Sequence, residues 1–190
     1  VGPLANTGRL DQADRDAQRA LVTAQDAGYR AGVGAAYVGQ ATVAHYRGTH
    51  EAALSLVDQA EQAAGPGGQD LASLRAECYL ELGRFSQAEE VALAGLAVAR
   101  DRADLFQEAW YRRVLADAYV RSGRISEAAS FVSEALRLAW RLGEQVTVSD
   151  GLTVSARVSA GMGRPQEAAM LLAAKAAMDD TTGLAVAPYE

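Results

Sequence analysis

The sequence has little of the residues that crosslink a chain or hold a metal. Cys78 is the single cysteine among 190 residues, so we expect neither an intrachain disulfide nor a thiolate metal site within one chain. We expect Cys78 to pack as a small buried hydrophobe. His45 and His50 are the only two histidines, and residues five apart do not share a helical face well. The sequence therefore predicts no metal pair, no bound metal and no cofactor.

Long apolar runs and excess positive charge are also missing. The longest wholly apolar run, 91–99, has about half the length that a membrane-spanning helix needs. No charged segment leads into an apolar one near Val1, so we expect no secretory signal, no membrane contact and a cytoplasmic location. The net charge is −6, the pI is near 5.0, and no run of arginines could follow a phosphate backbone. Direct binding of nucleic acid by this region is not expected.

One pattern, in contrast, occurs five times. The segments "TGRLDQA", "RGTHEAA", "LGRFSQA", "SGRISEA" and "MGRPQEA" each carry a glycine followed five residues later by an alanine. The glycines are separated by 40, 35, 40 and 40 residues, and they are Gly8, Gly48, Gly83, Gly123 and Gly163. Self-similarity at such a period indicates a repeat architecture.

Each glycine lies between two segments that are rich in helix-forming residues and lack the alternation of a strand. Glycine adopts the left-handed conformation that ends a helix at little cost, and small residues let two helices approach closely. Gly28 and Gly143 are expected to end two further helices. The sequence thus predicts an all-α fold of about five helical hairpins.

The hairpin pattern resembles the tetratricopeptide repeat (TPR). The fourth copy carries the family's Leu, small, aromatic, Gly, Ala and apolar positions at Leu115, Ala116, Tyr119, Gly123, Ala128 and Val132. The resemblance implies a right-handed α-α superhelix that binds proteins. The high alanine and arginine content, with segments such as "EALRLAWRLGE", is most similar to TPR regions of actinobacterial LuxR-type and SARP-type transcriptional regulators. That similarity implies a sensory or interaction role in signal transduction.

The domain organisation is predicted from the same anchors. We expect a single repeat domain over 1–180, followed by a C-terminal tail over 181–190. Only seven residues precede Gly8, so the first hairpin lacks its opening helix. A stack that begins halfway through a repeat leaves an apolar face uncovered. The sequence is therefore interpreted as a piece of a larger protein, with a homodimer as the alternative cover for that face.

In the TPR family the first helix of each hairpin generally lines a concave groove, and the corresponding face supplies the candidate ligand-binding residues. These are His45, Tyr46, Glu77, Trp110, Arg113, Asp117 and Arg157. They suit a protein or peptide ligand, or a small effector, because arginines bind carboxylates and aromatic rings bury apolar area. The alternative is that the charged members pair with one another across adjacent helices. Acidic Glu77 and Asp117 replace the asparagines of the family's carboxylate clamp, so binding of a chaperone tail is disfavoured.

No catalytic constellation accompanies these residues. The sequence has no G-x-x-x-x-G-K phosphate loop, and its serines lack a histidine in a plausible catalytic context. We therefore expect a non-catalytic interaction module rather than an enzyme. The alternative from another functional class is a structural scaffold or oligomerisation domain without a regulatory role.

Overall fold

The chain forms nine α-helices and no strand over the residues that this computed structural model describes, which are 9–65 and 71–183. In chain order the helices are α1 (Leu10–Asp26), α2 (Arg30–Tyr46), α3 (His50–Ala64), α4 (Ala72–Glu81), α5 (Phe85–Asp101), α6 (Leu105–Arg121), α7 (Ile125–Leu142), α8 (Gln145–Gly161) and α9 (Pro165–Thr182). The prediction of an all-α helical repeat is confirmed. α9 continues to Thr182, and 184–190 of the predicted tail lie outside the described residues.

The predicted glycine turns end the first helix of each described hairpin. Gly48 has a φ of 75°, its N–H donates to the His45 carbonyl, and the Thr49 N–H donates to the Ala44 carbonyl. Gly83, Gly123 and Gly163 also have positive φ, whereas Gly8 lies outside the described residues. The turn therefore satisfies carbonyl groups at the helix end that have no partner within the helix.

The turns that follow the second helices α1, α5 and α7 have the same hydrogen-bond pattern. Gly28 and Gly143 have positive φ, as predicted. Between α5 and α6 the equivalent position is held by Ala103, with a φ of 52°. The Ala103 N–H donates to the Arg100 carbonyl and the Asp104 N–H donates to the Ala99 carbonyl, so the turn is completed without glycine. Sequence inspection for glycine could not find this turn.

Alanines five residues after each turn glycine are buried. Four of them, Ala13, Ala53, Ala88 and Ala128, have no exposed surface, and Ala168 is 8% exposed. A larger side chain at such a position would push two packed helices apart, because protein interiors have little spare volume. Burial of these alanines is consistent with the prediction that the helices approach closely there.

The described chain falls into two compact units. The first holds α1 to α4 up to Leu82, and in it each helix packs on the next. Ala41, Val57, Ala60 and Leu71 form a buried cluster where α2 and α3 meet the start of α4. The second covers 83–183 and holds α5 to α9. Within the second unit α6 contacts α5, α7 and α8 and is buried along most of its surface. A single domain over 1–180 stays a prediction.

Candidate functional site

The seven candidate residues all lie on first helices of hairpins, divided between the two units. His45 and Tyr46 on α2 and Glu77 on α4 belong to the first unit. The remaining four belong to the second unit, on α6 and α8, and are Trp110, Arg113, Asp117 and Arg157.

In the second unit Asp117 and Arg157 pair across two first helices. The Arg157 Nη1 donates to the Asp117 Oδ1 at 2.9 Å, and the Arg121 Nη1 lies 3.8 Å from the other carboxylate oxygen. Asp117 is buried, whereas two-fifths of the Arg157 side chain is exposed. Because α6 and α8 are first helices of successive hairpins, this ion pair links two repeats.

Arg113 and Trp110 form a second arrangement on α6. The Arg113 guanidinium carbon lies 5.1 Å from the centroid of the Trp110 ring, and the Arg113 Nε lies 3.8 Å from the Asp150 Oδ2 on α8. The Trp110 ring also approaches Phe106, whose side chain is partly exposed. The Trp110 Nε1 is buried and has no hydrogen-bond partner among the described residues. The structure therefore supports the alternative that the charged candidates pair with neighbouring helices.

In the first unit His45 is surrounded by polar and aromatic groups. Its Nε2 lies 3.7 Å from the Glu77 Oε2, and its ring meets that of Tyr46 edge-on at 5.6 Å between centroids. The ring of His50 lies 5.3 Å away. The prediction that the two histidines do not share a helical face agrees with their positions on two helices, but it did not anticipate that their rings lie close together. They lie on either side of the turn at Gly48, which folds α3 back toward the end of α2.

Cys78 on α4 completes this cluster. Its Sγ lies 3.8 Å from the His45 Nδ1, and all three side chains are buried. Burial lowers the pKa of His50, and the nearby His45 lowers it further while Glu81 opposes the change. Burial, with a contribution from the Glu77 carboxylate, raises the pKa of the Cys78 thiol to about 12. The predicted burial of Cys78 is confirmed, but its polar neighbours were not anticipated.

Another surface that the sequence did not single out is an apolar cleft among α7, α8 and α9. Its volume is about 660 Å³, and Leu136, Trp140, Val148, Leu152 and Met178 contribute to its walls. Trp140 is 75% exposed, which is unusual for a tryptophan. Arg137 and Arg141 lie at the same cleft and are exposed. The signal in the sequence was a tryptophan between two arginines on a second helix, a face that the groove argument did not consider.

Comparison with known proteins shows the fold and no more. No protein-family model and no curated protein matches this chain. Among solved structures, the chain is similar to the crystal structure of BtubC (BKLC) from P. vanneervenii, with a TM-score of 0.55 and 17% sequence identity. The match covers 91% of this chain and 92% of that one.

At this identity the likeness shows a shared helical architecture. Over the described residues, none of the helices combines the length and the apolar character needed to cross a bilayer.

Proposed function

We propose that this chain is a non-catalytic, TPR-like interaction module that binds a segment of a partner protein. The observation that carries the proposal is the cleft of α7, α8 and α9, where an exposed tryptophan and a concave apolar surface lie beside two arginines. Exposed aromatic groups in apolar pockets are typical anchors of protein interfaces.

The chemistry of the cleft indicates the kind of segment that fits. Its walls are aliphatic and aromatic, so they favour an apolar anchor side chain. Arg137 and Arg141 carry positive charge at the same surface, and neither forms a hydrogen-bonded ion pair within the described residues. An amphipathic helix with an acidic flank matches both features, because carboxylates form charge-assisted hydrogen bonds with guanidinium groups.

The groove face of α6 and α8 is the weaker candidate surface. Arg113 and Asp117 are buried, and Arg157 already pairs with Asp117. A ligand that recruited these groups would have to break existing ion pairs. The resemblance to TPR regions of LuxR-type and SARP-type regulators supports a role in sensing or relaying a signal. Reading the coding DNA on both sides for a phosphate-binding loop and a helix-turn-helix tests that part of the proposal.

Binding is tested with synthetic peptides and intrinsic fluorescence. The Trp110→Phe variant leaves Trp140 as the only tryptophan, so its emission reports on the cleft. We expect an acidic amphipathic peptide to shift this emission to shorter wavelength in a saturable way. A peptide with the same apolar residues but basic instead of acidic ones should have no effect. Arg137→Glu with Arg141→Glu should weaken the affinity at least about tenfold, as expected for the loss of charge-assisted contacts.

Arg102→Glu is the matched control, because Arg102 is exposed in the same unit but lies outside the cleft. Equal weakening by both charge reversals, or equal binding of acidic and basic peptides, would contradict the proposal. Concentration-dependent self-association that Trp140→Ala abolishes would assign the cleft to a second copy of the chain. The scaffold alternative would then be the better description.

A further inference from the structure

The chain's entire complement of histidine and cysteine meets at one place. The 190 residues include two histidines and one cysteine, which are His45, His50 and Cys78. They lie on three different helices of the first unit. One ligand atom from each, a ring nitrogen or the thiol sulfur, lies within 4.8 Å of the other two. Two imidazoles and a thiol are the groups that bind Zn²⁺ in proteins.

The repeat register shows that packing alone does not require these residues. Two positions after the turn glycine, His50 stands where the other copies have Leu10, Phe85, Ile125 and Pro165. Three positions before it, His45 stands where they have Leu80, Val120 and Ala160. Five positions before it, Cys78 stands where they have Val43, Ala118 and Val158. Each of these three residues thus replaces an apolar residue of the repeat, and the three side chains lie together.

The distances suit a tetrahedral ion after small side-chain adjustments. Zn–S and Zn–N bonds of about 2.3 and 2.0 Å separate sulfur and nitrogen by about 3.5 Å in a tetrahedron. The Cys78 Sγ and His45 Nδ1 are 3.8 Å apart. When His45 binds through Nδ1, its Nε2–H faces the Glu77 carboxylate, whose oxygen lies 3.7 Å away. A carboxylate behind a ligating histidine is the usual outer partner at zinc sites, since it fixes the tautomer and orients the ring.

We propose that His45, His50 and Cys78 bind one Zn²⁺ ion, with the fourth coordination position filled by water or by an external ligand. The thiol and the imidazoles favour Zn²⁺ over Mg²⁺ and Ca²⁺, which prefer oxygen ligands. On binding, the Cys78 thiol loses its proton to solvent and the sulfur forms a bond with the ion. The ion would bind residues at the end of α2, the beginning of α3 and within α4, and so would crosslink three helices of the first unit. This site is independent of the proposed peptide cleft, which lies in the second unit.

The first test is a titration of the chelator-treated full chain with Co²⁺, followed by displacement with Zn²⁺. We expect one equivalent of Co²⁺ to give the visible bands of a tetrahedral ion and a thiolate-to-cobalt charge-transfer band in the near ultraviolet. Because Cys78 is the only thiol, that band identifies the ligand without mutagenesis. Zn²⁺ should abolish the bands and slow hydrogen exchange in α2, α3 and α4 while leaving α5 to α9 unchanged.

Variants that copy the other repeats provide the matched comparison. Cys78→Val, His50→Ile and His45→Leu each introduce a residue type found at the same position elsewhere in the chain. Each is expected to lower Zn²⁺ affinity at least about a hundredfold. Asp26→Asn, an exposed change in the same unit, should leave the affinity unchanged.

A folded wild-type chain that takes up neither ion, or that binds Co²⁺ without a thiolate band, would overturn the proposal. Zn²⁺ binding that persists in Cys78→Val would show adventitious surface binding. The wild-type spectra decide the question even where a variant fails to fold.

Discussion

Asp117 shows how a charged residue on a presumed ligand-binding face can serve the fold. Its carboxylate is buried, yet it accepts a hydrogen bond from Arg157 and lies near Arg121. A carboxylate loses hydration when it is buried and needs compensating hydrogen bonds or charges. Pairing of the charged candidates across adjacent helices was the alternative to ligand binding at this face, and the hydrogen bond from Arg157 to Asp117 is a contact of that kind.

We predict that Arg157→Gln lowers the free energy of unfolding by about 1–2 kcal/mol, because the buried Asp117 carboxylate loses its closest charged partner. Urea denaturation followed by circular dichroism measures the change. Arg19→Gln breaks the ion pair with Asp16, in which 78% of the Arg19 side chain is exposed. That control should cost less than about 0.5 kcal/mol. Equal losses of stability in the two variants would show that the buried pair contributes no more to the free energy of unfolding than the exposed pair does.

The cluster of His45, His50 and Cys78 was beyond residue-by-residue inference. The spacing of five correctly indicates that the histidines do not share the face of one helix, but the turn at Gly48 places them on two helices. Cys78 lies a further 28 positions along the chain and reaches them only because α4 packs on α3. Writing the repeats under one another would have shown three polar replacements at apolar positions. It could not have shown that they meet.

At the scale of elements, α9 is held to α8 by an unusual polar contact. Lys175 is the only lysine of the chain and occupies a register position where all four other copies have alanine or glycine. Its ammonium group donates to the Asp179 Oδ2 at 2.8 Å, and the Ser149 hydroxyl on α8 donates to the Asp179 Oδ1 at 2.6 Å. Lys175, Ser149 and Asp179 are all buried. Asp179 therefore joins the last described helix to its neighbour.

We predict that Asp179→Ala loosens α9, because it leaves a buried ammonium group without its carboxylate and removes the acceptor for Ser149. Breaking one partner of a buried pair costs about 3 kcal/mol or more. Hydrogen exchange resolved by mass spectrometry should show faster exchange in α9, with α5 and α6 unaffected. Asp180→Ala removes the exposed neighbouring carboxylate and should leave the exchange in α9 unchanged. Similar exchange in the two variants would rule out this anchoring role.

The elements were easier to predict than their contacts because each described hairpin has its signal in the local sequence. Glycine turns and helix-forming flanks located the hairpins at Gly48, Gly83, Gly123 and Gly163. The turn at Ala103 was not predicted, because alanine does not indicate a left-handed conformation as glycine does. The cleft beside Trp140 was not predicted from the sequence, because it forms only where three helices pack together. The pattern along one helix does not show which other helices pack beside it.

At the scale of the whole molecule, four arginines of the described residues each bind two carboxylates. Arg47 binds Asp11 and Asp14, and Arg75 binds Asp58 and Glu61. In the second unit Arg112 binds Glu108 and Glu134, and Arg124 binds Glu89 and Glu127. One guanidinium has enough donors for two acceptors, so such pairs fit its geometry. Arginines engaged in this way leave little unpaired positive charge at these positions.

These pairs predict how stability depends on pH. The hydrogen bond from Arg124 lowers the pKa of Glu127, and the hydrogen bond from Arg112 lowers the pKa of Glu134, each from an ordinary value of 4.5. A carboxyl group with a lowered pKa in the folded chain binds protons less readily there than in the unfolded chain. Its contribution to stability is therefore complete above the unfolded pKa and is lost as the pH falls through the folded pKa.

We predict that the free energy of unfolding falls below about pH 4.5, and that it falls less steeply in the Glu127→Gln, Glu134→Gln double variant. Chemical denaturation at a series of pH values between 7 and 3 measures both curves. The contribution is modest, because about half of each glutamate side chain is exposed and solvent weakens the pairs. Asp180→Asn, which removes an exposed carboxylate elsewhere in the second unit, should leave the slope unchanged. If the double variant and the wild type lose stability in parallel, the acid sensitivity arises from other carboxylates, and these two arginine pairs are solvated contacts without a role in folding.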